Sequence, residues 1–581
     1  MRKKENVVNL LLTVTFAILF IILTGWYFDL VYATNDDIFI GEILSGGITG
    51  TPEWRTIYLG ISAGILVSTL YRVFPGVAWY GVFLCAGQLI ALMVVLYRSL
   101  QMVTGKRKGV VLALFVMFAS GVSALHFANI QYTVTAGMVG SAAIFLFYTT
   151  DEKQGTASFL KQNIPTFFLL FLAGSIRQQV IWMLLPIAGL FWLQKWFTAK
   201  KQLVCFLLAA AFTVSLLVVI ERVSYADTEW RTFLDYTDSR EKIMDYYGYP
   251  DYEEYKTLYE ELGISHAAYV GASTRYDVLT EPNINASSMK ELAGVSKTEW
   301  LEKQSIPERI KDAAAAFLKR NLNYVDRPLN LFIYAAYLFV ALAAVLQKKY
   351  RVLSAELLLL AGRMVSWCYL LYTGRYPTRV TQALYYAELF SLTAIFLTYR
   401  LYEQKKKWFQ VIALGCFLFL TVWCGYRKAI TVRAENAAMI ASGKELEQLK
   451  AYCAEHEENL YLFDMKSVEH YMQGILAKPT HAGDNYVVLG GWLPKSPLYD
   501  EKIEQYGVTD IQTAVLTQKN VYFVCNGGAT FLPAYFYEYY KEKYPEYELG
   551  EVDRIVTFSG LVFQVIGVVD DTENENRTEE K

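Results

Sequence analysis

The sequence predicts a polytopic α-helical membrane protein with about 11 transmembrane helices and a C-terminal extracytoplasmic α/β domain. Three observations predict it. Of the 581 residues, 54% are hydrophobic and only 19% charged, against about 25% charged in an ordinary soluble chain. The apolar residues gather in runs of about 20, the length that crosses a bilayer as helix. After residue 425 those runs stop, and short buried strands alternate with helical stretches. A single soluble globule, a disordered scaffold and a collagen-like fibre are thereby excluded. With 54 basic against 56 acidic residues, the chain has no basic excess that would suit nucleic acid.

The expected spans lie at 7–32, 77–98, 109–126, 129–149, 164–177, 178–196, 202–222, 329–346, 352–372, 382–400 and 408–425. The first follows Arg2, Lys3 and Lys4. It is too long for the apolar core of a signal peptide and has no small-residue cleavage site, so it is expected to stay as an anchor. The fifth and sixth are short and meet at Arg177. Segment 57–75 is also apolar, but a full crossing there would carry Lys106-Arg107-Lys108 outside. It is therefore expected to lie in the outer interface or to re-enter partway, which suits Tyr58, Tyr71, Arg72 and Pro75. Lysine and arginine cluster at 106–108, 153, 200–201, 348–351 and 405–407. By the positive-inside rule these loops and the N-terminus are cytoplasmic.

On this topology a membrane domain, 1–425, exposes the loop 33–76 and a helical insertion, 223–328, outside. An extracytoplasmic α/β domain follows at 426–569. The tail 570–581, DDTENENRTEEK, is acidic and expected to be disordered. In the α/β domain, 442–456 and 531–544 read as helices, 459–464 and 520–524 as buried strands, and 553–568 as a closing hairpin. Cys453 and Cys525 are its two cysteines, and an oxidising compartment leaves a disulfide between them open.

Four groups of residues suggest chemistry. Asn35-Asp36-Asp37 directly follows the first span. Two adjacent carboxylates there suit a general base or a metal ligand, or else cap a helix. The turn-rich loop that follows, with Gly46-Gly47 and Gly50-Thr51-Pro52, favours a functional role. In the outer hairpin LYTGRYPTRV, Arg375 and Arg379 stand four residues apart, and arginine forks bind phosphate; contact with lipid headgroups is the alternative. Arg177, Arg363, Glu388 and His126 lie within or at the ends of spans, where charge is costly and marks a functional or paired site. An Arg363–Glu388 pair between adjacent helices is the structural alternative, and a helix-end role that for His126. Finally, the aromatic acidic stretch from Asp245 to Tyr255 suits sugar stacking or interface anchoring equally. The loop GGWLPKSPLY at 490–499 has the length to fold back over a membrane site. No GxxxxGK[ST], GxGxxG after a strand or HExxH is present, and no long inner domain exists that would bind a nucleotide-sugar.

An acidic pair just past the first span, an interfacial helix, an inner basic GKRKG at 105–109, many spans and an outer C-terminal domain together resemble the GT-C superfamily of membrane glycosyltransferases. The likeness is to the branch of protein mannosyltransferases and aminoarabinose transferases. The stretches NDDIFIGEILSG, GRYPTRV and GGWLPKSPLY also look like a set of uncharacterised membrane proteins of Gram-positive bacteria. The resemblance implies a plasma-membrane enzyme that moves a sugar from a polyprenyl phosphate to a cell-envelope glycan or other surface acceptor. It places Asp36 or Asp37 as base or as organiser of a divalent cation, if one is used. Arg375, Arg379 and Arg177 would hold the donor phosphate, with Asn35, His126, Arg363 and Glu388 in support. Its partners would be lipid-linked sugar, glycan acceptor and membrane lipid. Two departures stand out: the Asp-Glu pair of the mannosyltransferases is Asp-Asp here, and the WWDYG motif of oligosaccharyltransferases is absent. The competing readings are a polymerase or ligase of lipid-linked oligosaccharides, and a non-catalytic glycolipid transporter or receptor.

Overall fold

The structure, a computed structural model, describes residues 2–274, 282–303, 305–322, 324–468, 474–477, 484–526 and 539–569. All eleven expected spans are helical. Among the described residues, nine helices are long and apolar enough to cross a membrane, or ten if one bent pair counts as a single span. They include α1 (Arg2–Tyr27), α4 (Trp79–Met102), α5 (Arg107–Phe118, continued through a π turn to Ala128), α6 (Tyr132–Thr149), α9 (Lys200–Ser224), α13 (Leu329–Leu346), α14 (Arg351–Tyr372), α15 (Thr378–Thr398) and α16 (Lys407–Ala454, with a π turn at 420–425). Between α1 and α4 run α2 (Asn35–Ser45) and α3 (Ile61–Val73).

Two expected spans differ. The fifth is broken: Thr156–Gln162 meets α7 (Ile164–Ile176) at 44°, around the buried Asn163 that bonds back to Phe159. The sixth, α8 (Gln178–Trp196), falls outside the nine, because Gln178, Gln179, Gln194 and Lys195 dilute both of its ends. The expected interfacial segment 57–75 is helical only as α3, whose 13 residues span about 20 Å, too short for a bilayer core of about 30 Å.

The centre of the bundle is the pair α6 and α15. The backbones approach so closely that a Cβ on Gly137 would lie 2.4 Å from the Ala383 Cβ, the small-residue contact that membrane helices use to pack. Helix α9 sits at the periphery with most of its apolar face exposed, as a lipid-facing helix should. Beyond α9 the insertion forms α10 (Thr228–Lys242), α11 (Ala286–Lys303) and α12 (Ile306–Leu322).

Helix α16 is continuous across the expected boundary at 425/426 and carries the C-terminal α/β unit on its end. That unit is a five-stranded mixed sheet. β3 (Leu460–Asp464) pairs in parallel with β4 (Tyr486–Leu489) and β5 (Val521–Asn526), and β5 pairs antiparallel with the hairpin β6 (Leu549–Val556) and β7 (Val562–Val568). The expected helix at 531–544 lies largely, and the tail 570–581 wholly, outside the described residues. Side chains alternate along β5, so Cys525 packs in the core on one face of the sheet while Cys453 packs in the core on the other. The two are free thiols, and the open disulfide is thus excluded by the sheet that separates them.

Candidate functional site

The face of the bundle opposite residue 4 carries the site. A two-residue parallel bridge ties β1 (Val31–Tyr32) to β2 (Asn129–Ile130) and fixes where the chain leaves α1. Helix α2 starts three residues later. Asp36 and Asp37 occupy its first turn, where the helix dipole favours negative charge. Gly46, at φ +87, ends it in the left-handed conformation that glycine adopts freely.

The structure splits the acidic pair. Asp37 is fully buried. Its carboxylate accepts hydrogen bonds from the Thr34 hydroxyl at 2.8 Å and from the Tyr80 hydroxyl at 2.8 Å, and Tyr80 is itself held by Tyr71. Burial outweighs these donors and pushes the Asp37 carboxyl up to about 7. Asp36 faces the other way. Burial raises its carboxyl as well, and the charges of Arg379 and then Arg177 oppose that rise. The indole N–H of Trp492 works in the same direction, although it falls short of full hydrogen-bond geometry.

Arg177 is the hinge residue between α7 and α8. Its guanidinium donates to the Tyr58 carbonyl at 3.0 Å and stacks on the Tyr58 and Tyr132 rings at 5.2 and 5.3 Å, which positions a cation without neutralising it. Arg379, in the first turn of α15, makes no salt bridge or hydrogen bond among the described residues. Arg375 is different. It pairs with Glu241 at 2.5 Å and Asp245 at 2.7 Å and lies over the Tyr246 ring, so two carboxylates already balance its charge. Of the aromatic acidic stretch, Asp245 and Tyr246 thus meet Arg375, while Tyr249, Tyr252 and Tyr255 pack in the core of the insertion.

The roof of the site comes from the sheet domain. Gly490 and Gly491, at φ +99 and +80, turn the loop after β4 toward the membrane. The following Trp492 packs edge-on against Tyr58 at 5.3 Å and Phe39 at 6.2 Å. Lys495 then donates to the Ile284 carbonyl of the insertion, Lys450 faces Glu42 of α2 at 3.8 Å, and Gln505 donates to the Thr49 carbonyl at 3.0 Å. The loop GGWLPKSPLY therefore folds back onto α2 and the Tyr58 segment, with Trp492 beside Asp36.

The supporting residues lie elsewhere. Arg363 and Glu388 form a buried pair at 3.1 Å between α14 and α15. Tyr337 donates to Glu388 at 3.4 Å and Asn321 of α12 accepts from Arg363. That is the structural alternative. His126 packs edge-on against Tyr386 inside the bundle, and Asn35 stands half-exposed at the start of α2; neither has a contact with the carboxylates. For a divalent cation the donor set does not fit. Asp37 already satisfies Thr34 and Tyr80, Asp36 has arginines beside it, and among the described residues no three His, Cys, Asp or Glu side chains gather to hold a metal. Sequence reasoning missed Tyr80, which decides the role of Asp37; a tyrosine in the first turn of a span carries no signal of its own.

No family model matches the chain, and no curated protein does. Among solved structures the fold is similar to that of ArnT from Cupriavidus metallidurans in the apo state, at 13% identity, over 96% of this chain and 97% of that one, with a TM-score of 0.41.

Proposed function

We propose that the protein is a membrane glycosyltransferase that uses a polyprenyl-phosphate sugar as donor and a cell-envelope glycan or other surface acceptor. The observation that carries this reading is the juxtaposition of one partly open carboxylate, Asp36, with two cations, Arg177 and Arg379, that form no salt bridge among the described residues. Asp36 takes the proton of an acceptor hydroxyl as its oxygen attacks the anomeric carbon. The bond from that carbon to the phosphate oxygen breaks, its electrons stay on the phosphate, and polyprenyl phosphate leaves. Arg379 and Arg177 stabilise the charge that grows on it. Arg375 is assigned to the rim, held by Glu241 and Asp245, and Asp37 to anchoring α2. Trp492 excludes water above the reacting atoms. A lipid-phosphate donor reaches such a site from within the bilayer. With the N-terminus cytoplasmic, as the basic loops favour, the reaction takes place on the outer face of the plasma membrane.

The test is deletion of the gene in its host, with complementation by wild type, Asp36→Asn or Asp37→Asn and mass spectrometry of envelope glycans and lipid-linked sugars. The expected result is loss of one sugar substituent and build-up of a monosaccharide polyprenyl phosphate in the deletion and in the Asp36→Asn strain. Accumulation of complete repeat units would point to the polymerase or ligase instead. Full complementation by Asp36→Asn would remove the assignment.

A further inference from the structure

On the opposite face, where α5 and α16 begin, a cavity of about 200 Å3 opens between α4, α5, α13, α15 and α16. Its walls are apolar, with Phe115, Val340, Leu397 and Leu414 among them. It reaches from Arg107 to Phe118 on α5 and from Phe409 to Phe417 on α16. Measured from the helix starts at Arg107 and Lys407, the inner end of the cavity, at Phe118 and Phe417, lies about 15 Å deep at 1.5 Å per residue. That is half of a hydrocarbon core of about 30 Å, so the slot has the depth of one leaflet.

The mouth is polar and cationic. The segments that frame it, 105–108 and 403–407, carry six cations and one carboxylate. Lys106, Arg107, Lys405, Lys406 and Lys407 are exposed. Lys108 is occupied by Asn9, and Glu403 faces Arg107 from 4.0 Å. Gln404 lines the mouth and is 6% exposed. Its amide oxygen accepts from the Lys406 N–H and its carbonyl from Gln410. Its amide nitrogen is buried with no partner among the described residues. A buried donor left open is costly, and it points here to an acceptor that the chain itself does not supply.

We propose that this slot binds an anionic phospholipid of the leaflet on the N-terminal side, with one acyl chain between the five helices and the headgroup on the basic rim. Gln404 donates to an oxygen of the lipid's phosphate or glycerol ester. Basic pockets between membrane helices recognise anionic headgroups in this way. A slot one leaflet deep matches an acyl chain and stops short of a polyprenyl chain, which separates this site from the proposed donor site on the other face.

The experiment uses the full chain, purified in mild detergent, stripped of lipid, and titrated with phosphatidylglycerol, phosphatidylcholine of the same chains, or undecaprenyl phosphate. Native mass spectrometry reads the bound lipid. One phosphatidylglycerol is expected to bind at least about tenfold more tightly than phosphatidylcholine, given several cations at the rim. Ala413→Trp, which fills the slot, abolishes binding. Gln404→Leu, nearly equal in volume, weakens it several-fold, and the melting temperature of the lipid-free protein reads separately the lost bond to the Lys406 N–H. Lys106→Gln with Lys406→Gln removes the preference for the anionic headgroup. Equal binding of the two phospholipids, or full binding by Gln404→Leu and the charge variant together, would overturn the proposal. Preferential binding of undecaprenyl phosphate would overturn the phospholipid assignment and make the slot a prenyl site.

Discussion

Trp492 and Tyr58 meet edge to face with ring centroids 5.3 Å apart, although one belongs to the C-terminal sheet unit and the other to the segment between α2 and α3. Tyr58 also supplies the ring on which Arg177 stacks and the carbonyl to which it donates. One aromatic contact therefore joins the roof, the cation and the carboxylate of the site. Replacing Trp492 by Ala is expected to lower kcat/KM by about tenfold or more, on the scale of an aromatic contact plus lost water exclusion. Phe at the same position should restore most of it. Transfer of a labelled sugar by purified protein checks both.

The two aspartates should behave differently on substitution. Asp36→Asn removes the base and is expected to lower the rate by about 100-fold or more, with the melting temperature unchanged. Asp37→Asn turns an amide nitrogen toward the hydroxyl of Thr34 or Tyr80 and leaves a buried donor unmet, a loss of about 1–3 kcal/mol in stability. Thermal unfolding followed by intrinsic fluorescence, run beside the transfer assay, separates the effects. Equal loss of activity without loss of stability in both variants would refute the division of roles.

Asp37 also sets a pH dependence. Its carboxyl is near the ordinary value of about 4 in the unfolded chain and raised to about 7 in the folded one. The folded state therefore binds the proton more tightly. Stability from this group is fully present below about pH 4, falls as pH rises toward 7, and is flat above, with a slope of at most about 1.4 kcal/mol per unit. Melting temperatures across pH 4 to 8 should fall more steeply in wild type than in Asp37→Asn.

The arginines divide as well. Arg379→Gln removes an unneutralised cation and is expected to raise the apparent Kd for undecaprenyl phosphate by about 10- to 100-fold, the worth of a charge-assisted hydrogen bond. Arg375→Gln should change it by less than about threefold, because the guanidinium is engaged by Glu241 and Asp245 and not by the phosphate, and the carboxylates it uncovers are partly exposed and screened. Binding measured by quenching of intrinsic fluorescence distinguishes them.

The pair Arg363–Glu388 should act as a structural unit. Arg363→Leu leaves Glu388 buried and unpaired, a loss of about 3–5 kcal/mol. Arg363→Leu with Glu388→Leu should recover much of it. Melting temperatures of the single and double variants check the expectation.

Where local pattern carries the information, the sequence reading and the structure agree. Each apolar run is a helix because composition over about 20 residues decides it, and β3 and β5 stand where buried strands were expected. Asp36 comes to lie beside Arg177 and the Trp492 of the GGWLPKSPLY loop, while its neighbour Asp37 turns away. What the sequence hides depends on distant partners. Asp36 and Asp37 are adjacent letters, and partners far along the chain tell them apart: Tyr80, 43 residues from Asp37, and Arg379 and Arg177 beside Asp36. The charge of Arg375 is balanced by Glu241, 134 residues earlier. Cys453 and Cys525 look pairable until the alternation of β5 puts them on opposite sides of a sheet. At 425/426 the composition turns polar while α16 continues unbroken as a helix.

Helix α16 has 48 residues and so a length of about 72 Å, more than twice the hydrocarbon core of about 30 Å. One end stands among the lysines at 405–407 and the other reaches the sheet that carries Trp492. Such a rod is a strut that joins the two faces of the bundle. The π turn at 420–425 is the joint in it. A shift or tilt at the basic end is thus carried along one helix to the sheet that holds Trp492 beside Asp36.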